Sequence, residues 1–175
     1  MKHLYWRISA ALLVFLYLLA LGAPFLSPYS YKEQFRDLFY KSPTTIRFRE
    51  NNGTWHLRPF IYDYQLEDLT PRYREVSRPL SIYFLVPGEP YRWMGMAFDT
   101  HLFGLKDPSR KIFLLGSDGL GRDLFSRILF GARFSLTIGI VAVLLTAVLG
   151  TVFGALAGYF AGWWDSLIMR FADLF

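Results

Sequence analysis

The side chains best placed for chemistry lie in one short charged segment that ends at Arg133, directly before the longest apolar run of the sequence. Asp118 precedes Arg122 by four residues. Asp123 precedes Arg127 by the same interval. An acidic residue four positions before a basic one forms a stabilising ion pair on a helix. The spacing therefore predicts a polar helix face, which either meets solvent or contacts other proteins.

The remaining polar residues lack the spacing of a catalytic or metal site. The histidines, His3, His56 and His101, are not spaced as metal ligands. The sequence contains no Gly-x-x-x-x-Gly-Lys phosphate loop, no Ser, His and Asp constellation and no cysteine. We therefore predict a protein that is not an enzyme and has no metal site. The net charge of +5 is spread among thoroughly mixed signs, which argues against a nucleic-acid partner.

The apolar run from Phe134 to Trp164 contains no charged residue and exceeds the roughly 20 residues that cross a bilayer as a helix. We predict a transmembrane helix over residues 135–162. Gly150, Gly154 and Gly158 recur at every fourth position, which predicts a smooth face for close helix packing. The alternative is that glycine is simply common in membrane helices.

A second apolar segment, residues 8–26, follows a basic stretch at residues 1–7. It is longer than the usual core of a cleaved signal peptide, which favours a retained transmembrane helix over cleavage. The basic residues before it predict that residues 1–7 lie in the cytoplasm. The second span then returns inward, and residues 163–175 form a segment on the cytoplasmic side.

Residues 27–115 are predicted to form a small, mostly-β extracytoplasmic domain. Two runs with alternating character, residues 45–49 and 55–62, flank Asn51-Asn52-Gly53, which is typical of a β-hairpin. Residues 80–86 favour a buried strand that stops at Pro87-Gly88. Weaker strand candidates are residues 91–96 and 111–115. The predicted fold class is thus membrane α-helical, with two transmembrane helices that flank this domain.

Residues 116–134 are predicted to form an amphipathic helix at the membrane interface. Ser117 or Asp118 could cap this helix. The positions that predict its apolar face are Leu120, Leu124, Ile128 and Ala132.

The same segment resembles the C-type permease subunits of binding-protein-dependent ABC importers, in the dipeptide, oligopeptide and nickel group. That family carries Gly-(Ser/Thr)-Asp-x-x-Gly-Arg-Asp-x-x-Ser-Arg-x-x-x-Gly-x-Arg-x-Ser-Leu before its second span. The matching residues of this sequence are Gly116, Asp118, Gly121, Arg122, Asp123, Ser126, Arg127, Gly131, Arg133, Ser135 and Leu136.

A second motif block follows the predicted second span. The family has Gly-Tyr-x-x-Gly-x-x-Asp and then Met-Arg-x-x-Asp. The matching residues here are Gly158, Tyr159, Gly162, Asp165, Met169, Arg170 and Asp173. Trp163 and Trp164 are predicted to be aromatic anchors at the cytoplasmic interface.

The resemblance implies the N-terminal portion of a permease subunit in an ATP-driven importer of peptides or similar small solutes. Such a subunit is a multi-pass protein of the cell (inner) membrane. It would assemble with a homologous permease, two cytoplasmic ATPases that hold ATP and Mg²⁺, and an extracytoplasmic solute-binding protein. No cofactor is expected in this chain. The family continues past the position of Phe175, so we expect either a fragment of a longer permease or a truncated gene product.

The alternative function is a membrane-anchored sensor or scaffold. In that hypothesis the extracytoplasmic β domain binds a ligand and the two spans serve as anchors. It accounts for the long segment between the spans but leaves the glycine face and the two motif blocks without a role.

Overall fold

The computed structural model describes residues 2–50, 53–66, 73–160 and Arg170 of the 175-residue chain. Two compact units, Met1–Arg133 and Phe134–Phe175, divide the chain. The helices are α1 (Lys2–Leu21), α2 (Ala23–Leu26) and α3 (Leu124–Phe160). The strands are β1 (Arg47–Arg49), β2 (Trp55–Leu66), β3 (Tyr73–Trp93) and β4 (Met96–Leu105).

Two of the described helices are long and apolar enough to cross a membrane, over Leu4–Leu21 and Leu124–Tyr159. The first apolar run, predicted as a single helix over residues 8–26, is divided between α1 and α2 at Gly22. Pro24 gives the physical reason, because it has no backbone N–H to donate to the preceding helical turn. Few of the described side chains in either span are buried within the structure.

The strands form one antiparallel sheet in the order β1-β2-β3-β4. The predicted hairpin is confirmed as the pairing of β1 with β2, in which Arg47 lies opposite Phe60. Gly53 has a φ of +92°, which suits a tight turn between them. Asn51 and Asn52 lie outside the described residues.

β3 is longer than predicted. The predicted stop at Pro87-Gly88 is wrong, because the pairing with β4 resumes at Tyr91 opposite Phe98 after an irregularity in register. A proline is tolerated at such a bulge, where no ladder hydrogen bond is required. Residues 91–93 therefore complete β3, and the weaker candidate at 111–115 is not a strand.

The core lies where the chain after α2 crosses the sheet. Ile61, Ile82 and Phe103 from the sheet pack with Tyr29 and Phe113 from the flanking segments. Two segments that follow and precede the membrane helices therefore share one apolar core with the sheet.

Candidate functional site

Residues 116–123 form a loop, so the prediction of a helix over 116–134 is wrong in its first part. α3 begins only at Leu124. Gly116 and Gly121 have φ angles of +83° and +71°, which a right-handed helix does not allow. The loop closes on itself, because the Gly121 N–H donates to the Asp118 carbonyl at 2.9 Å.

Asp118 is the centre of this loop. Its Oδ1 accepts hydrogen bonds from the backbone N–H groups of Leu120 at 2.9 Å and Arg122 at 3.0 Å. Its Oδ2 accepts from Arg122 Nε at 2.8 Å and from Arg127 at 2.5 Å. The Asp118–Arg122 pair therefore forms at the predicted spacing, but in a loop. Arg127 pairs with Asp118 and not with Asp123 as predicted, because the loop folds Asp118 back over the start of α3.

The ionised form of Asp118 is favoured. Partial desolvation raises its pKa, but hydrogen bonds from the backbone and side chain of Arg122, and from the Leu120 N–H, outweigh that effect. The net result is a pKa of about 2. Asp118 is thus a charged anchor that holds both arginines.

Asp123 caps the start of α3. Its Oδ2 accepts hydrogen bonds from the N–H of Ser126 at 2.9 Å and from its hydroxyl at 2.5 Å, which is N-cap geometry. Asp123 is 2% exposed, and its Oδ1 is buried without a hydrogen bond of normal geometry from the described residues. Desolvation raises the pKa of this carboxyl, although the bonds from Ser126 oppose the shift.

Hydrogen bonds join the loop, residues 116–123, to residues 35–43. We call this contact between the two segments the clasp. Ser117 donates its backbone N–H to the Lys41 carbonyl at 2.9 Å, and its hydroxyl oxygen accepts from the Lys41 N–H at 2.9 Å. The Ser117 hydroxyl donates in turn to the carbonyl of Leu38. The N–H of Tyr40 donates to the Asp118 carbonyl at 3.1 Å, and the N–H of Phe35 donates to the Gly121 carbonyl at 3.2 Å.

Glycine is required at two positions of the clasp. A Cβ atom at Gly121 would lie 1.9 Å from the Phe35 carbonyl oxygen. A Cβ atom at Gly116 would lie 2.7 Å from the Lys41 carbonyl oxygen. Backbone cannot move aside as a flexible side chain can, so both glycines of the family motif are explained by close backbone approach.

Lys41 ties the clasp to the sheet and was not identified from the sequence. It is 7% exposed, and its Nζ lies 3.7 Å from the centre of the Tyr64 ring, a cation–π contact. Burial lowers the pKa of Lys41 to about 8, although the charges of Glu75 and Asp63 oppose the shift. A lysine beside a Ser-Pro break carries no pattern that predicts such burial.

The other predicted site residues lie on α3 or beyond it. Gly131, Arg133 and Ser135 are on α3, as are Gly150, Gly154, Gly158 and Tyr159. Tyr159 is 83% exposed, and Arg170 is exposed. The remaining predicted residues of the second block lie outside the described residues: Gly162, Trp163, Trp164, Asp165, Met169 and Asp173.

The clasp is a structural device. Some of its charged side chains form ion pairs, and other polar groups donate to or accept from backbone groups. The hydroxyls of Ser117 and Ser126 donate to the Leu38 carbonyl and to Asp123 Oδ2, and not to a histidine base. Within the described ranges, no group of three or more His, Asp and Glu side chains could hold a metal ion. The arrangement can fix the entry of a long apolar helix.

Comparison with known proteins shows which permeases this chain resembles. A family model described as the N-terminal TM domain of oligopeptide transport permease C matches residues 6–43. Over 60 residues, 34% of this chain and 20% of the relative, the chain is 57% identical to a glutathione transport system permease protein GsiD of Pectobacterium atrosepticum. It is 58% identical over 59 residues, with the same coverage, to GsiD of Escherichia coli O6:K15:H31. No solved structure matches.

The match to these curated relatives therefore spans about a fifth of their length. The segment that the family model matches, residues 6–43, ends with the residues that the motif loop binds in the clasp. Two segments that separately resemble one family are thus joined by hydrogen bonds in the fold. These matches support a likeness to the N-terminal portion of a C-type permease of ABC importers.

Proposed function

We propose that this chain is part of the permease subunit of an ATP-driven importer and that its spans form part of the translocation pathway. One observation carries the proposal. The clasp joins the two family segments and leads into α3, whose glycines have open space beside them. No atom outside the helix's own local backbone lies within 4 Å of a Cβ built at Gly150, Gly154 or Gly158. A helix with such a face packs closely against other helices in lipid.

The proposed assembly contains a homologous permease, two cytoplasmic ATPases and an extracytoplasmic solute-binding protein in the cell (inner) membrane. ATP and Mg²⁺ would be bound by the ATPases, and this chain would take no part in hydrolysis. Its role would be mechanical, because helices that pack at small residues can move together as the pathway opens to either side.

We propose that peptides or similar small solutes are the cargo. The relatives in Pectobacterium and Escherichia are named as permeases for glutathione, which is itself a small peptide. The N-terminus would lie in the cytoplasm and the sheet outside it, consistent with the basic residues Lys2 and Arg7 at the start of α1. The sheet would then stand on the side from which the solute arrives.

Co-purification tests this function. The chain is tagged within a full-length permease, expressed together with the genes that flank its own, extracted from membranes in mild detergent and recovered by its tag. We expect a second permease and ATPase chains in roughly stoichiometric amounts, with ATPase activity in the eluate. A chain recovered from membranes without either partner would contradict the proposal. Ligand binding by such a solitary chain would favour the sensor or scaffold instead.

Transport is then measured in the same cells. Uptake of a labelled dipeptide, a tripeptide and glutathione is compared between cells with the intact genes and cells that lack only this one. We expect uptake of at least one of these solutes to be lost with the gene and restored by it. The solute that responds would give the class of cargo.

A further inference from the structure

The β3–β4 hairpin ends in an apolar tip, residues 93–96. Trp93 pairs with Met96, so the turn has only two residues between them. These are Met94 with a φ of +50° and Gly95 with a φ of +89°. Two positive φ angles in a two-residue turn are typical of type I′, which favours asparagine followed by glycine.

Methionine is a costly choice at this position. A side chain with a Cβ is disfavoured in the left-handed region, and asparagine tolerates it better. Met94 is nevertheless 80% exposed and Met96 is 60% exposed, so neither is held there by packing in its own unit. The other hairpin of the sheet has the polar turn sequence Asn51-Asn52-Gly53. Hairpin geometry alone therefore does not require apolar residues at this turn, and the reason for them is sought in what surrounds the tip.

The tip lies beside the end of the first membrane helix. Trp93 Nε1 donates a hydrogen bond of 2.9 Å to the carbonyl of Leu21, the last residue of α1. That carbonyl is one of those left without a partner within the helix at its C-terminal end. Leu21 also ends the apolar span that begins at Leu4. The tip is thus held at the height where the span leaves the hydrocarbon core, which is where tryptophan is enriched.

The hairpin behind the tip is stiffened, and it carries Arg92 together with the acidic residues Glu89 and Asp99. The Trp93 ring packs edge-to-face on Phe98, and the Tyr91 hydroxyl donates to the Thr100 carbonyl at 2.8 Å. Arg92 and Lys32 line an adjacent cavity of about 280 Å³. Among the residues that the structure describes, neither of these cations forms an ion pair. Basic side chains at this height suit the phosphates of a lipid surface.

We propose that the tip, residues 93–96, inserts into the lipid interface beside α1. Met94 and Met96 lie among the upper parts of the acyl chains, and Arg92 and Lys32 meet the headgroup phosphates. The contact fixes the height of the sheet above the bilayer. The proposal requires only that α1 spans the membrane, so it is independent of the transported solute and of the partner subunits.

Quenching of single tryptophans by lipid tests the proposal. Three variants of the whole chain each keep one of Trp6, Trp55 and Trp93, with phenylalanine at the other tryptophans. They are reconstituted in vesicles of phospholipid brominated near the ester end of the acyl chains. Trp6 on α1 and Trp55 at the start of β2 are each 72% exposed, so they are matched controls for lipid and for water. We expect Trp93 to be quenched at least about half as strongly as Trp6, and Trp55 hardly at all.

A second variant separates lipid contact from hairpin folding. Met94→Asn with Met96→Ser removes the apolar tip but suits the left-handed turn, so the hairpin should persist. In the Trp93-only background we expect quenching to fall by about twofold, because a polar tip is drawn toward water. Unchanged quenching would contradict the role of the methionines.

The remaining outcomes are distinct. Quenching of Trp6 but not of Trp93 would overturn the proposal and leave the span of α1 intact. Equal quenching of Trp55 and Trp93 would also overturn it, because the contact would not be specific to the tip. Absence of quenching at Trp6 would overturn both the tip and the span, whereas loss of the partner subunits in co-purification would affect neither.

Discussion

The glycines of the clasp and the glycines of α3 are used in opposite ways. Cβ atoms at Gly116 and Gly121 would lie under 3 Å from backbone of the clasp, and both residues have positive φ angles. Gly150 and Gly154 have helical backbone, and nothing lies within 4 Å of the corresponding Cβ positions. The first pair already has its contacts within the chain, and the second pair has none among the described residues.

The two sets of glycines therefore relate to two different processes, the folding of this chain and the packing of its helix against other helices. In water, apolar burial and hydrogen bonds join residues 35–43 to the motif loop, so the clasp belongs to the stability of the chain itself. In lipid, no hydrophobic force drives helices together, and small residues permit the close packing that replaces it. In the assembly that we propose, the glycines of α3 would therefore contribute to the stability of the complex.

The largest expected effect is at Gly121. Gly121→Ala adds a Cβ that would overlap the Phe35 carbonyl in a backbone conformation that alanine disfavours. We expect the free energy of unfolding to fall by about 3 kcal/mol or more, because backbone would have to separate. Denaturant unfolding in detergent, followed by circular dichroism of the sheet, would measure the loss.

Gly131→Ala is the matched control, since Gly131 is a motif glycine on α3 with nothing within 4 Å of its Cβ position. Alanine is the better helix former by up to about 1 kcal/mol, so this variant should be neutral or more stable. Equal losses for both substitutions would show that the clasp geometry is not what requires Gly121.

The second effect is on assembly. Gly154→Leu fills the face of α3 that we propose packs against partner helices, so we expect at least a roughly tenfold lower yield of partner subunits in co-purification. The chain's own unfolding should be unchanged, because the site has open space. Val152→Leu enlarges the opposite side of the helix and should leave the yield intact. Normal assembly of the Gly154 variant would show that these glycines are merely tolerated.

The sequence predicted the elements better than the contacts between them. The apolar spans and the Asn-Gly hairpin depend on local composition and periodicity, which are visible in the sequence. The helical start at residue 116 was wrong because apolar residues happen to recur at helical spacing across Gly119 and Gly121. Two glycines so close together argue for a turn, and Asp123 followed by Ser126 fits a helix start about two turns later.

The clasp could not be predicted from one sequence. Ser117 bonds Lys41 across 76 positions of the chain, and no periodicity links such distant residues. Helical spacing also gave Arg127 the wrong acidic partner, because the closed loop brings Asp118 nearer. The motif singled out Gly116 and Gly121, and the fold shows why they are glycines. At each of them another segment of backbone approaches so closely that a Cβ atom would not fit.

The third effect concerns the charge inside the clasp. Asp118→Asn retains the shape of the side chain but weakens its bonds to Arg122 and Arg127. We expect a loss of about 2 kcal/mol in the free energy of unfolding at pH 7, since hydrogen bonds to charged groups are the strong ones. Asp37→Asn is a control at an exposed aspartate and should change little.

The pH dependence sharpens this test. The pKa of Asp118 is about 2 in the folded chain, below its ordinary value near 4, so the unfolded chain binds more protons between these values. The contribution of the Asp118 charge is therefore present above about pH 4 and is lost as the pH falls toward about 2. The difference between the wild type and Asp118→Asn should shrink over that range. A constant difference would mean that shape, and not charge, is lost.

The smallest effect is expected at Asp123, where cap and charge can be separated. Asp123→Ala removes the cap of α3 and should cost about 1 kcal/mol, whereas Asp123→Asn keeps an oxygen for the Ser126 N–H and relieves a buried charge. Burial raises the pKa of Asp123, so ionisation opposes folding and its cost is present at neutral pH. The asparagine variant should therefore be at least as stable as the wild type at pH 7. That advantage should vanish as the pH falls below the folded pKa and the wild-type carboxyl becomes protonated. Losses of equal size for alanine and asparagine in denaturant unfolding would instead mean that the clasp needs a carboxylate here, as it does at Asp118.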